Sequence, residues 1–158
     1  MMRGSQVVAA FLIAFLLAGT PAFADCIPSS FPDGWLLEQE RKGGHTVDRH
    51  VSKSDRWLIE RLKRDRKIPA ASSFPDRVTA RQVIGLALAP DESDLDEWAL
   101  TARAGEVAEI RMAFEQPIGR IVERGKAVGE PAFGLRLFIR ARGDGTCYLL
   151  TAYPTHGG

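Results

Sequence analysis

The chain has 158 residues, with 21 Lys and Arg against 20 Asp and Glu, a net charge of +1, two cysteines and three histidines. That length suits one domain with one sizeable core, and the near-neutral total excludes nucleic-acid binding driven by overall charge alone. No zinc spacing, P-loop, dinucleotide fingerprint or Gly-x-Ser-x-Gly elbow occurs.

Arg3, the apolar run 7–18 and the small residues Ala22 and Ala24 flanking Phe23 form the charge, hydrophobic and cleavage regions of a secretory signal peptide. The apolar run falls short of the ~20 residues a bilayer requires, and Pro21 breaks it. Residues 1–24 are therefore expected to be removed after Ala24. Residues 25–158 would then form the mature domain, secreted or periplasmic and free of stable membrane association. In that oxidising compartment Cys26 and Cys147 are expected to pair. Closing so long a loop contributes roughly 4–5 kcal/mol in the entropic account.

Residues 26–35, rich in Pro, Ser and Gly, read as an irregular leading segment, and 36–41 as a helical turn ending at Gly43-Gly44. The run 43–51 follows and holds His45 and His50 with Asp48 and Arg49 between them. Histidine exchanges protons near neutral pH, and paired glycines permit unusual backbone or close approach. From composition alone, the favoured reading of both histidines is as ordinary surface or core residues. From residue 52 a helix is predicted, with Ser52 or Ser54 as its N-cap and Trp57, Leu58, Ile59 and Leu62 apolar. Arg61 falls on the flank of the Leu58/Leu62 stripe, nearer the core than Arg64 or Lys67, and there requires an anion: a carboxylate such as Asp48 or Glu60, or a ligand. Ten Lys and Arg between residues 41 and 67, Lys53 among them, form a basic block. Most such blocks are solvated helix faces, yet a local patch attracts phosphates even on a neutral protein.

Residues 68–75 read as a hydroxyl-bearing loop. Thr79-x-x-Gln82 is a capping box for a second helix, with Val83, Ile84, Ala87 and Leu88 inward and Pro90 as its stop. Asp91 and Ser93 are candidate caps for a third helix through Leu95, Trp98 and Ala99, ended by Gly105. Its acidic first turn complements the helix dipole. The period then changes to two. Strands are predicted at 108–114, 118–124, 133–142 and 146–153, the last two joined by Gly143-Asp144-Gly145. Helices first and antiparallel strands afterwards give an α+β domain. Alternation places Thr151 and Tyr153 on one face of the last strand, where a hydroxyl and a phenol could hold a phosphate oxygen. Strands also favour both residue types for packing alone. His156 lies in the exposed tail.

Three stretches, GGHTVDRHVSKSDRWLIERL, IPAASSFPDRVTARQVI and YLLTAYPT, together resemble bacterial toxin domains of ribonuclease A-like fold, the C-terminal toxins of contact-dependent growth inhibition proteins. The resemblance runs from about residue 36 to 155. It implies a metal-independent ribonuclease without a cofactor, acting on RNA, tRNA included, and countered by an immunity protein. Carried over by motif, it implies catalytic roles for His45 and His50, with His50 leading, for Arg61, and for Thr151 and Tyr153. Lys53 is a candidate for substrate binding. The implied reaction removes the ribose 2′-hydroxyl proton, attacks the adjacent phosphorus and protonates the departing 5′-oxygen. Two rivals stand beside it: a non-catalytic secreted module binding an anion or a protein, and an exported nuclease with a RelE- or barnase-like site on a similar layout.

Overall fold

The computed structural model describes residues 25–157. The expected signal peptide and its cleavage point lie outside them, apart from Asp25. Among the described residues, five α-helices, α1 (Trp35–Arg41), α2 (Thr46–His50), α3 (Asp55–Arg64), α4 (Arg77–Leu88) and α5 (Glu92–Thr101), are accompanied by six strands. The strands are β1 (Ala70–Ser73), β2 (Val107–Ala113), β3 (Gly119–Glu123), β4 (Glu130–Ala132), β5 (Gly134–Ala141) and β6 (Cys147–Thr155). Two antiparallel sheets result, in the orders β1-β3-β4 and β2-β5-β6. This is the expected α+β class, ribonuclease A-like in layout.

Each sheet has its own core. Leu58 and Leu62 of α3 pack on Ala71 of β1 and Val122 of β3. The larger core joins Leu36, Ile84, Leu88, Leu95 and Ala99 of the helices to Leu135, Leu137 and Ile139 of β5 and Leu149 of β6. Fully burying a leucine side chain contributes about 1.5–3 kcal/mol, and Leu58, Leu88 and Leu137 are all fully buried. β6 belongs to the second sheet but also packs against β1 and β3, so it joins the two halves.

Several local expectations are revised. Residues 70–73 form a strand rather than a loop, because pairing with β3 in the register Ser72↔Ile121 supplies hydrogen bonds that Ala-Ala-Ser-Ser would not recruit by propensity. β4, which carries Pro131, pairs at the edge of the same sheet, a position that tolerates proline. Helix α4 starts two residues before Thr79. Asp76 is its N-cap, with Oδ1 accepting from the Thr79 N–H at 2.7 Å, so the expected capping box is not used. α5 runs on from a 3₁₀ turn at Ala89–Asp91, and the Asp91 side chain makes no capping bond. At α3 the choice between serines resolves to Ser54, whose hydroxyl accepts from the Trp57 N–H.

The leading segment is stitched down at both ends. The Cys26 and Ile27 N–H groups donate to Asp96 Oδ1 at 2.7 and 3.1 Å, and Arg81 pairs with Asp33 at 2.9 Å. Cys26 and Cys147 form the expected disulfide, with Cα atoms 4.9 Å apart. The bridge fixes the start of β6, the strand that carries Thr151 and Tyr153.

Candidate active site

Gly43 and Gly44 allow α2 to sit tightly against β6. Gly43 takes φ +112°, in the region glycine favours. A Cβ at Gly44 would lie 2.5 Å from the Leu149 carbonyl oxygen and 2.9 Å from that of Gln39. The approach is sealed by the Gln39 side chain, which accepts from the Leu149 N–H at 3.1 Å, and by Thr46 Oγ1, which accepts from the Ala152 N–H at 2.9 Å. Glu40 then caps the short helix, accepting from the Val47 N–H at 2.7 Å.

A bulge in β6 decides which side chains meet α2. Phe138 pairs with Thr151 and Ile139 with Leu149, so Leu150 is the extra residue. Its carbonyl, released from the ladder, accepts from the His45 N–H at 2.9 Å. Beyond the bulge Ala152 and Pro154 join Leu149 in the core, while Thr151 and Tyr153 turn to the opposite face. Uninterrupted alternation from Cys147 would have kept Leu149, Thr151 and Tyr153 together.

His50 ends α2 and is only 6% exposed. Its Nδ1 lies 3.0 Å from the Ser72 carbonyl oxygen. A carbonyl only accepts, so Nδ1 carries the hydrogen and Nε2 keeps its lone pair. The imidazole stacks on Tyr153, ring centroids 5.1 Å apart, and Tyr153 stacks in turn on Phe138 at 6.1 Å. Burial, with Arg61, His45 and Arg49 adding repulsion, pushes the His50 pKa down to about 3, against the help of its Ser72 bond. His45 is half-buried; burial first, then the Arg49, Arg61 and Arg140 charges, hold its pKa below the ordinary value.

Arg61 lies on the flank of α3, half-buried beside Leu58 and Leu62. No carboxylate pairs with it among the described residues. Glu60 is taken by Lys63 at 2.7 Å, and Asp48 lies near Arg61 without forming a salt bridge. Arg61 instead donates from Nη1 to the Arg49 carbonyl at 3.3 Å, and its guanidinium lies 6.0 Å from the Trp57 ring centre. The ligand alternative for its required anion therefore stays open. Lys53 has another setting. Its ammonium sits 5.0 Å from the Trp57 ring centre, and the residue lines a cavity of about 630 Å³ with Ser52, Ser73, Phe74 and Arg120. None of the five catalytic candidates lines that cavity.

Two further atoms mark the place. Thr151 Oγ1 and Arg140 Nε are both buried and both lack a hydrogen-bond partner. Arg140 pairs across the sheet with Tyr148, two residues along β5 from Phe138, and so shares the Thr151 and Tyr153 face. Two histidines, two arginines, a hydroxyl and a phenol thus come together from α2, α3, β5 and β6.

A family model, the bacterial CdiA-CT RNAse A domain, matches residues 44–154. The chain belongs to the bacterial CdiA-CT RNAse A domain family. The matched span begins at Gly44 and closes just after Tyr153, enclosing all five catalytic candidates. Among solved structures, the CdiA-CT/CdiI complex from Y. kristensenii is similar, with 31% sequence identity and a TM-score of 0.59. That match covers 71% of this chain and 99% of the other. Comparison with curated proteins gives no match.

Within this CdiA-CT RNAse A domain, the sequence reading passed over Arg140, the Ser72 carbonyl and the Leu150 bulge. A signal for Arg140 existed: in Arg136-x-Phe138-x-Arg140 two cations share one strand face with an aromatic. Which face that is depends on the β5–β6 register. No sequence signal names the carbonyl that orients a histidine, because every residue has one.

Proposed function

We propose that this CdiA-CT RNAse A domain is an exported endoribonuclease toxin that cleaves RNA by attack of the ribose 2′-hydroxyl on the adjacent phosphodiester. The observation that carries the reading is the buried His50, whose Ser72 bond leaves Nε2 unprotonated near Arg61, which pairs with no carboxylate among the described residues.

In this reading a bound phosphate offsets the Arg61 and Arg49 charges that add to burial in depressing the His50 pKa, and Nε2 then accepts the 2′-hydroxyl proton as the oxygen attacks phosphorus. The P–O5′ bond breaks, and His45 returns a proton to the departing oxygen. The products are a 2′,3′-cyclic phosphate and a 5′-hydroxyl. Burial first, and then the Arg49, Arg61 and Arg140 charges, lower the His45 pKa, and a bound phosphate offsets those charges, raising it toward the range an acid requires. Arg61 holds the phosphate through its fork of donors. Thr151 Oγ1 and the Tyr153 phenol supply further hydrogen bonds, and the Tyr153 ring keeps the His50 imidazole in its plane. Lys53 assists at a neighbouring part of the RNA strand.

Metal independence belongs to the proposal. Among the described residues no three His, Cys, Asp or Glu side chains gather to hold a cation, and the cationic side chains supply positive charge directly. Export rests on the signal peptide read from residues 1–24. The related Y. kristensenii domain was solved as a CdiA-CT/CdiI complex, and we infer a cognate immunity protein here too.

The test is purified protein incubated with RNA in excess chelator. Fragments ending in 2′,3′-cyclic phosphate, with a 2′-deoxy substrate left intact, are expected. Intact RNA would return the chain to a non-catalytic binding module. Cleavage that persists in both His50→Ala and His45→Ala would move the chemistry to another site.

A further inference from the structure

We propose that Arg140 is a second phosphate-binding arginine of this site, clamping the scissile phosphodiester from the sheet side while Arg61 holds it from the helix side. This inference rests on the ribonuclease reading above and adds a residue to it.

Arg140 Nε is buried and bonded to nothing, and so is Thr151 Oγ1 on the same sheet face. Buried polar groups in folded proteins are nearly always satisfied, and an unmet one costs about 1–3 kcal/mol, more when charged. Two such groups on one sheet face do not serve stability. Both are unmet donors, and one acceptor serving both must carry several oxygens. Protein carboxylates do not fill the role. Glu109, the acid on this face, is held by Arg111 at 2.7 Å and Arg136 at 2.6 Å, and Arg140 enters no salt bridge among the described residues.

Position supports the same ligand. Arg140 lies opposite Tyr148 and diagonal to Thr151, just before the Leu150 bulge where the His45 N–H is anchored. Its charge is among those felt by His45. A phosphodiester set between His45 and His50 would meet Arg140 on β5, Thr151 on β6 and Arg61 on α3. A guanidinium donates through Nε and one Nη to two oxygens at once, so two arginines on different elements can each hold a non-bridging oxygen as negative charge grows there.

The variants are Arg140→Met, which keeps the apolar stem, and Arg140→Lys, which keeps a charge without the fork. Three quantities are read on each full chain: thermal midpoint, turnover of an RNA oligonucleotide, and affinity for the uncleavable 2′-deoxy oligonucleotide. Removing a half-buried cation that enters no salt bridge among the described residues, and whose Nε is unmet, is expected to leave the midpoint unchanged or higher. kcat/KM is expected to fall by roughly 10²–10³-fold, as for removal of one donor to a developing oxyanion. Arg140→Lys is expected to recover only a small part. An Arg140→Met protein within threefold of wild type in turnover and deoxy-oligonucleotide affinity overturns the proposal. So does a lower midpoint with turnover per folded molecule unchanged. If the wild type cleaves no RNA, the ribonuclease reading fails first, and the affinity arm still decides. Weaker binding by Arg140→Met keeps Arg140 as an anion-binding residue, and equal binding overturns it.

Discussion

Lowering the pH tests the buried His50 directly. In the unfolded chain a histidine binds a proton below about pH 6.5. In the fold, burial holds the His50 pKa down at about 3. Between those values the unfolded state carries a proton that the native state lacks, so stability falls as the pH is lowered. The effect starts near pH 6.5 and saturates near pH 3. At 1.36 kcal/mol per pKa unit, the drop from pH 7 to pH 4 amounts to about 3 kcal/mol from this one residue. Carboxylates stabilised in the fold, such as Asp76 with its capping bond, add their own acid sensitivity, so a reference protein is needed. His50→Asn provides it: its amide can still donate toward the Ser72 carbonyl, but it takes up no proton. Urea unfolding of both proteins at pH 7, 6, 5 and 4 gives the comparison. The wild type is expected to lose about 3 kcal/mol more than the variant over that range. Loss of the Tyr153 stack lowers the variant at every pH and leaves the slope alone. Parallel curves, differing by less than about 1 kcal/mol in their loss, would refute a His50 kept neutral by burial.

Arg61→Lys is expected to keep the melting temperature but lose most RNA cleavage, because a point charge does not replace a bidentate fork; a destabilised variant with normal turnover per folded molecule would make Arg61 structural. Gly44→Ala forces a Cβ against two backbone carbonyls, at 2.5 and 2.9 Å, and is expected to cost about 1–3 kcal/mol in urea unfolding while displacing His45, with wild-type stability and activity as the contrary result. Tyr153→Phe keeps the ring that stacks on His50 at 5.1 Å and is expected to retain the fold but lose turnover, which an unchanged kcat would contradict. Reducing the Cys26–Cys147 bridge, which spans 121 positions, is expected to lower stability by up to about 5 kcal/mol. Mass spectrometry of exported protein should find the bridge intact and Asp25 as the first residue; free thiols or a retained N-terminus would contradict it.

The sequence by itself determined the α+β order, most helix interiors and the strand alternation, because periods of 3.6 and two are local properties of buried faces. It also marked His45, His50 and Arg61, through a histidine pair behind two glycines and a cation on the flank of an apolar stripe. Tertiary structure decided the rest. β1 and β4 have weak strand propensity and exist because β3 pairs with both. Asp76, not Thr79, starts α4, because an N-cap depends on where the preceding strand releases the chain. Whether Arg61 meets Asp48, Glu60 or no carboxylate depended on Lys63 holding Glu60 and on Arg61 reaching the Arg49 carbonyl rather than Asp48. The face shared by Arg140, Thr151 and Tyr153 depended on the Leu150 bulge and the β5–β6 register. One residue out of the ladder inverts every side chain beyond it, and no local pattern fixes where that residue falls.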